Sequence, residues 1–245
     1  MPLQNRVDPF GRILADPARG LWTGNRGVLH DEGRTIRRPW QVRRWIICRL
    51  EFRGRHREVM SPRTWTELFF LDEATAFAAG HRPCGECRHA AYRRFRDLWG
   101  LIHLADPVDA ESIDRRLHAE RLAGRAKRTE PAELADLPDG TFIARDDRAW
   151  LVLQRSLLEW SPAGYVARRD RPPRARVDVL TPPASWPCSA PATGRTCTPR
   201  PARSTATRNQ GPVRVGPGLA FRHPEAARRA SHLRLREPGR DFGSV

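Results

Sequence analysis

The sequence predicts an α+β protein, and three observations carry that prediction. A β-like apolar run, WIICRLEF, occupies residues 45–52; an Ala-rich helical stretch over 73–79 leads straight into Cys84-Gly-Glu-Cys87; and residues 141–160 alternate as strands around a turn. The expected organisation is a small α/β domain built around the cysteine pair over residues 1–104. A basic helix and a small β-meander would follow over 105–184, and then a tail, 185–245.

Residues 1–30 are rich in Gly, Asp, Asn and Pro and read as loop. From Arg43 the pattern turns to β. WIICRLEF is followed by Arg53-Gly54-Arg55 as a turn, with REVM, 57–60, as the return strand and TELFF, 66–70, as a third strand. Asp72 is a good N-cap for a helix over Glu73–Ala79. Gly80 sits where a helix stops, and Pro83 prevents it from resuming. Helical periodicity returns in RHAAYRRFRDLWG, with Tyr92, Phe95, Leu98 and Trp99 on one side and arginines on much of the rest. Residues 110–128 read as a second basic helix weakened by Gly124. Pro138-Asp139-Gly140 is turn chemistry; TFIAR and AWLVLQ form a hairpin about Asp146-Asp147-Arg148, and LLEW adds a strand.

The 245 residues carry a net charge of +16, nearly all of it from arginine, Lys127 being the only lysine. A planar guanidinium suits phosphate and base edges, so nucleic acid, duplex DNA first, is the expected partner. A GC-rich coding sequence would enrich arginine in the same way. No stretch approaches the roughly 20 apolar residues of a membrane span, and the N-terminus has no apolar signal core, so no membrane association and a cytoplasmic location are expected.

From Ser185 the composition changes. The tail holds eight prolines and 11 arginines against three acidic residues. It has too little apolar surface to offset its ordering entropy and is expected to be disordered. It also fits an extension read out of frame, because SWPCSAPATGRTCTPRPA shifted by one base can encode VAVLRAGYRPHVHPSA. Cys188 and Cys197 therefore carry no functional weight here.

An odd count of five cysteines without a signal peptide favours metal or free thiols over disulfides. A Cys-x-x-Cys turn places two thiolates at the right distance for one tetrahedral metal, most often zinc. The same spacing serves redox motifs, but those follow a buried apolar strand. Cys84 and Cys87 instead follow a glycine-ended helix and a rigid Arg82-Pro83 approach.

The run FFLDEATAFAAGHRPCGEC resembles the second half of the metal-binding N-terminal domain of the Ada DNA-repair protein. Phe69, Phe70, Asp72, Ala74, Ala76, Ala79, Gly80, Arg82, Pro83, Cys84 and Cys87 carry the likeness. It covers about 20 residues, chiefly within 66–88. The resemblance implies a structural Zn2+ held by four cysteines in a small α/β fold that contacts DNA, one cysteine of the first pair accepting a methyl group from a phosphotriester. Cys48 stands at the right distance for one member of that first pair, but Phe52 stands where its partner is expected. The fourth ligand must then be a histidine, a carboxylate or water. His30, in the loop-like GNRGVLHD, is the first choice, with His56 next and His118 a third. The expected metal set is Cys84, Cys87, Cys48 and His30.

The first functional expectation is a zinc-stabilised, DNA-associated protein linked to repair, with Arg82, Arg88, Arg93 and Arg94 on phosphates. The broken first pair, and the lack of a PCHR-type alkyltransferase motif, count against methyl transfer by Cys48. The alternative is a metal-dependent nuclease of HNH-like type, using Asn25, His30 and Asp31 or His118 and Glu120. A third is a non-catalytic partner-binding protein whose contact surface is the meander at 140–166. Whether the chain is an enzyme is left open.

Overall fold

Short strands appear where the sequence reads as loop. In the computed structural model, which describes residues 1–55 and 58–186, β1 (Gln4–Val7), β2 (Ile13–Ala15) and β3 (Trp22–Asn25) lie within the first 30 residues. Runs of three or four residues are too short to display a period, and their polar members hid them further. Asp8 closes the β1–β2 turn by accepting from the Arg12 backbone N–H at 2.9 Å and from Arg12 Nε at 2.6 Å, with Gly11 at φ +83°.

The first sheet adds β4 (Ile46–Cys48), β5 (Leu68–Phe70) and β6 (Arg82–Pro83), in the order β2-β1-β5-β3-β4-β6. The β1–β5 and β4–β6 pairs are parallel, the others antiparallel. The expected hairpin between WIICRLEF and REVM does not form. Both edges of β4 are taken, one by β3 and one by β6, so no edge is left for a return strand. Leu50 accordingly stands 50% exposed just past the end of the strand.

Between β5 and β6 runs α1 (Glu73–Ala78), capped as expected by Asp72, whose carboxylate accepts from the Thr75 N–H at 2.8 Å. Its Ala-rich sequence lets it be buried nearly all round. Gly80 ends it at φ +91°, and a Cβ there would lie 2.5 Å from Arg121 Cδ. Helix α2 (His89–Ile102) buries Phe95 and Trp99, with Phe77 stacked on Phe95 at 6.0 Å. Helix α3 spans only Ala110–Arg121, not 110–128, because Gly124 at φ +64° turns the chain into a small hairpin, β7 (Leu122–Ala123) with β8 (Ala126–Lys127). Ile113 and Leu117 of α3 share one apolar cluster with Val7, Leu29, Phe70 and Trp99. Helix α3 therefore belongs to the core of the first sheet, across the boundary expected at residue 105.

The second sheet is wholly antiparallel. It comprises β9 (Glu130–Glu133), β10 (Phe142–Arg145), β11 (Arg148–Leu153), β12 (Ser156–Ser161), β13 (Gly164–Asp170) and β14 (Arg176–Val179). Their order is β13-β12-β11-β10-β14-β9, so the expected meander is present and larger than expected. Asp146 and Asp147, at φ 53° and 57°, form the two-residue turn between β10 and β11. Alternate side chains enter two different clusters. Phe142, Leu151 and Leu158 face α1, while Ile143, Trp150, Val152 and Leu157 pack with Leu134, Leu137 and Val179. Burial on both faces explains why AWLVL reads as a continuous apolar run. Two hydrogen bonds tie this sheet to α1: Tyr165 Oη donates to Asp72 Oδ2 at 2.6 Å, and Trp160 Nε1 to Thr75 Oγ1 at 3.1 Å. The tail from residue 187, with Cys188 and Cys197, and His56 of the candidate ligands lie outside the described residues. No helix among the described residues is long and apolar enough to cross a membrane.

Candidate metal centre

The parallel register of β4 and β6 builds the site. Ile46 pairs with Arg82 and Ile47 with Pro83, so the next residues in each strand, Cys48 and Cys84, arrive side by side. The Cys84 N–H donates to the Ile47 carbonyl at 2.9 Å, fixing the approach. The chain then makes the Cys-Gly-Glu-Cys turn, closed by the Arg88 N–H on the Cys84 carbonyl at 3.2 Å, and enters α2. The Sγ atoms of Cys48, Cys84 and Cys87 all lie within 4.8 Å of one another and form no disulfide. Thiolates about 2.3 Å from a tetrahedral zinc stand about 3.8 Å apart, so the trio fits one such ion with little adjustment. Ile46 and Phe52 pack around it.

Two backbone N–H groups point at the sulfurs: Arg49 N–H to Cys87 Sγ and Glu86 N–H to Cys84 Sγ, each at 3.4 Å. Such donors favour the charged thiolate. The Cys84 thiol is drawn down to about 5, first by a hydrogen bond from Cys48 and then by the N–H groups of Cys87 and Glu86. Cys48 is pushed up, first through that same bond to Cys84 and then by burial, and burial also raises Cys87. A bound divalent cation would favour the thiolate form of all three.

The other expected ligand is elsewhere. His30 is 6% exposed, with Nδ1 2.6 Å from Thr66 Oγ1 and Nε2 3.1 Å from the Ser61 carbonyl. Both ring nitrogens are engaged in holding the 61–66 segment, and His30 is not part of the cysteine group. His118 lies edge-on to Trp40 at 4.5 Å and shares a hydrogen bond with Arg121. His81 is buried between Phe70 and Trp45, and desolvation keeps it neutral. Among the described residues, the three cysteines are the group of metal-ligating side chains close enough to share one ion.

Two of the expected phosphate contacts are also spoken for. Arg82 is 3% exposed and grips Asp114 of α3 through Nε at 2.8 Å and Nη2 at 2.7 Å. Arg88 is 8% exposed, pairs with Glu73 at 2.6 Å and lies over the Trp22 ring. Both serve the fold; Arg93 and Arg94 do stand exposed on α2. The nuclease candidates are dispersed in the same way. Asp31 binds Arg37, and Glu120 accepts from Arg116 and the Ala184 N–H.

Beside the cysteines opens a cavity of about 930 Å3, walled by Cys48, Cys84 and Cys87 and by residues from several other elements. Arg44 and Arg49 stand exposed at it, Phe52, Phe69 and Tyr92 supply aromatic surface, and Asn25 contributes an amide. Of these, Asn25, Phe52, Phe69 and Tyr92 read from sequence in other roles. No periodicity marks such residues, because they come from separate elements meeting at one sheet face. Compared with known proteins, the chain matches no family model, no curated protein and no solved structure.

Proposed function

We propose that Cys48, Cys84 and Cys87 hold one zinc ion in a structural role, in a protein that associates with nucleic acid and is linked to DNA repair. The observation that carries the metal reading is the convergence of three sulfurs from two separate chain segments within 4.8 Å. Soft thiolates in a compact group favour zinc over the hard, oxygen-seeking cations. The ion would tie the end of β4 to the turn that starts α2, stapling strands of only two and three residues. The fourth position is left to water or a group from the cavity. The likeness of residues 66–88 to the Ada metal-binding domain supports both the metal and the repair link. The nucleic-acid reading is further supported by the arginine excess and by the exposed Arg44, Arg49, Arg93 and Arg94. No observation favours the nuclease alternative.

Metal analysis of the purified chain is expected to return about one zinc per molecule, falling to none in Cys84→Ser. A chain without bound metal would end the zinc reading. Filter binding on duplex DNA across a salt series is expected to show affinity falling steeply with salt, as counterion release requires. Absence of binding at low salt would end the nucleic-acid reading while leaving the metal untouched.

A further inference from the structure

The cavity beside the cysteines contains features that a structural metal does not explain. Arg44 and Arg49 are exposed at it and take part in no ion pair among the described residues. The neighbouring Arg82 and Arg55, by contrast, are matched to Asp114 and Glu86. Asn25 lines the same space while 93% buried, and its side chain makes no hydrogen bond to another described residue. Between these polar groups lie Phe52, Phe69 and Tyr92, with Arg53 stacked 4.9 Å over Phe52 and Arg82 5.1 Å over Tyr92.

We infer that this cavity takes one unpaired nucleotide, its phosphate on Arg44 and Arg49, its base against Phe52 and Tyr92, and a base-edge group on the Asn25 amide. The inference rests on the nucleic-acid reading above and narrows it to a ligand class. Three parts of the site suit that occupant, beside the Glu67 and Glu86 carboxylates that also line it. Two unmatched guanidiniums call for an anion, and their planar forks suit phosphate oxygens. Aromatic walls layered with arginine are the surfaces on which unstacked bases rest. An amide can both donate to and accept from a base edge. The volume lies in the range of pockets, about 300–1,000 Å3, that hold ligands of nucleotide size. A duplex presents its bases stacked and paired, and only its backbone could reach this recess.

The test uses the full zinc-loaded chain and fluorescence anisotropy with labelled 12-mers: single-stranded dT, single-stranded rU and a mixed-sequence duplex. Thymidine monophosphate serves as a competitor. The expected result is single-strand binding about tenfold or more tighter than duplex binding, as stacking of even one base provides. The Arg44→Ala/Arg49→Ala double variant should lose that preference while keeping its zinc and its far-UV spectrum. Asn25→Asp, which sets a carboxylate in the cavity, should weaken single-strand binding as well. An Arg93→Ala/Arg94→Ala variant should retain the preference. Displacement by the monophosphate would make a free nucleotide the occupant; displacement by strands alone, with dT and rU compared, would make it a polymer and say which kind. Either supports the site. Single strands held no tighter than duplex, or a double variant that binds like the parent, would overturn the inference and leave general nucleic-acid association intact. If no probe binds at all, both readings fall together.

Discussion

The first sheet is assembled from strands of two to four residues, while β11, β12 and β13 in the second run to six or seven. Of these, β11 and β12 place apolar side chains in clusters on both faces of the sheet, and β13 adds Tyr165. The short ones are fastened by polar groups. Arg82 is locked on Asp114, and Arg26 and Arg121 lie 4.0 and 3.7 Å from the Trp45 ring centre. Arg121 also donates to the Gly80 and Arg43 carbonyls, at 2.8 and 2.7 Å. Buried cations of this kind depend on specific partners, so this half of the molecule depends on individual groups where the meander depends on area. The cavity and the cysteines lie in the half built that way, and the proposed zinc would be its largest single fastening.

The sharpest way to break that comparison is to remove the metal. Small zinc-dependent domains draw on the order of 10 kcal/mol from their ion. Chelation is therefore expected to melt the first sheet well below the meander, read as early loss of Trp45 and Trp99 fluorescence in a thermal scan. Simultaneous melting at an unchanged temperature would show that the two halves do not differ in this respect.

Next in size is Asp114→Ala, which strands the Arg82 guanidinium and is expected to cost about 3–5 kcal/mol in denaturant unfolding. Leu151→Ala in the meander should cost about 2–5 kcal/mol by leaving a cavity. The two differ in repair. Replacing both partners, Arg82→Met with Asp114→Leu, should recover much of the first loss, and no pairwise exchange of that type applies to the second.

These contrasts explain what could be read in the chain. Cys84 and Cys87 were legible because their spacing, with Gly80 and Pro83 before them, is local, and Cys48 followed from its distance along the chain. Arg82 and Arg88 read as phosphate ligands because sequence shows a charge and not its partner, and Asp114 lies 32 residues from Arg82 among other charges. His30 reads as a ligand on a loop, but that loop is flanked by strands and uses the ring to pin Thr66. The β10–β11 hairpin was legible because Asp146-Asp147 accepts the positive φ its turn requires. Strands β1 to β3 were not, since three or four residues carry no visible alternation and are defined by neighbours far away in sequence.

A smaller effect tests the seam between the sheets. Tyr165→Phe removes the donor to the Asp72 carboxylate and is expected to cost about 1.5–3 kcal/mol, the range for bonds to charged groups. A loss below about 0.5 kcal/mol would mean that the seam is held mainly by the Leu71, Ala74 and Ala78 packing.

A further expected effect is a slope with pH. Lys127, whose ammonium is drawn in against the Ala78 carbonyl, is lowered to about 7 by burial and then by Arg26 and Arg121, with Asp8 opposing. Between about 7 and its ordinary value of 10.5, the unfolded chain holds a proton that the folded one has released. Stability should therefore rise with pH across that window and be lost as pH falls through about 7. Lys127→Met should remove that part of the slope, measured as the denaturation midpoint against pH; identical slopes in both proteins would contradict the assignment.

The most direct measurement is the zinc content of four variants purified alike: Cys48→Ser, Cys84→Ser, Cys87→Ser and His30→Ala. The three cysteine variants are expected to lose the ion, and His30→Ala to keep about one per chain with a lowered melting temperature. Zinc retained in Cys48→Ser, or lost in His30→Ala, would contradict a centre built from the three cysteines.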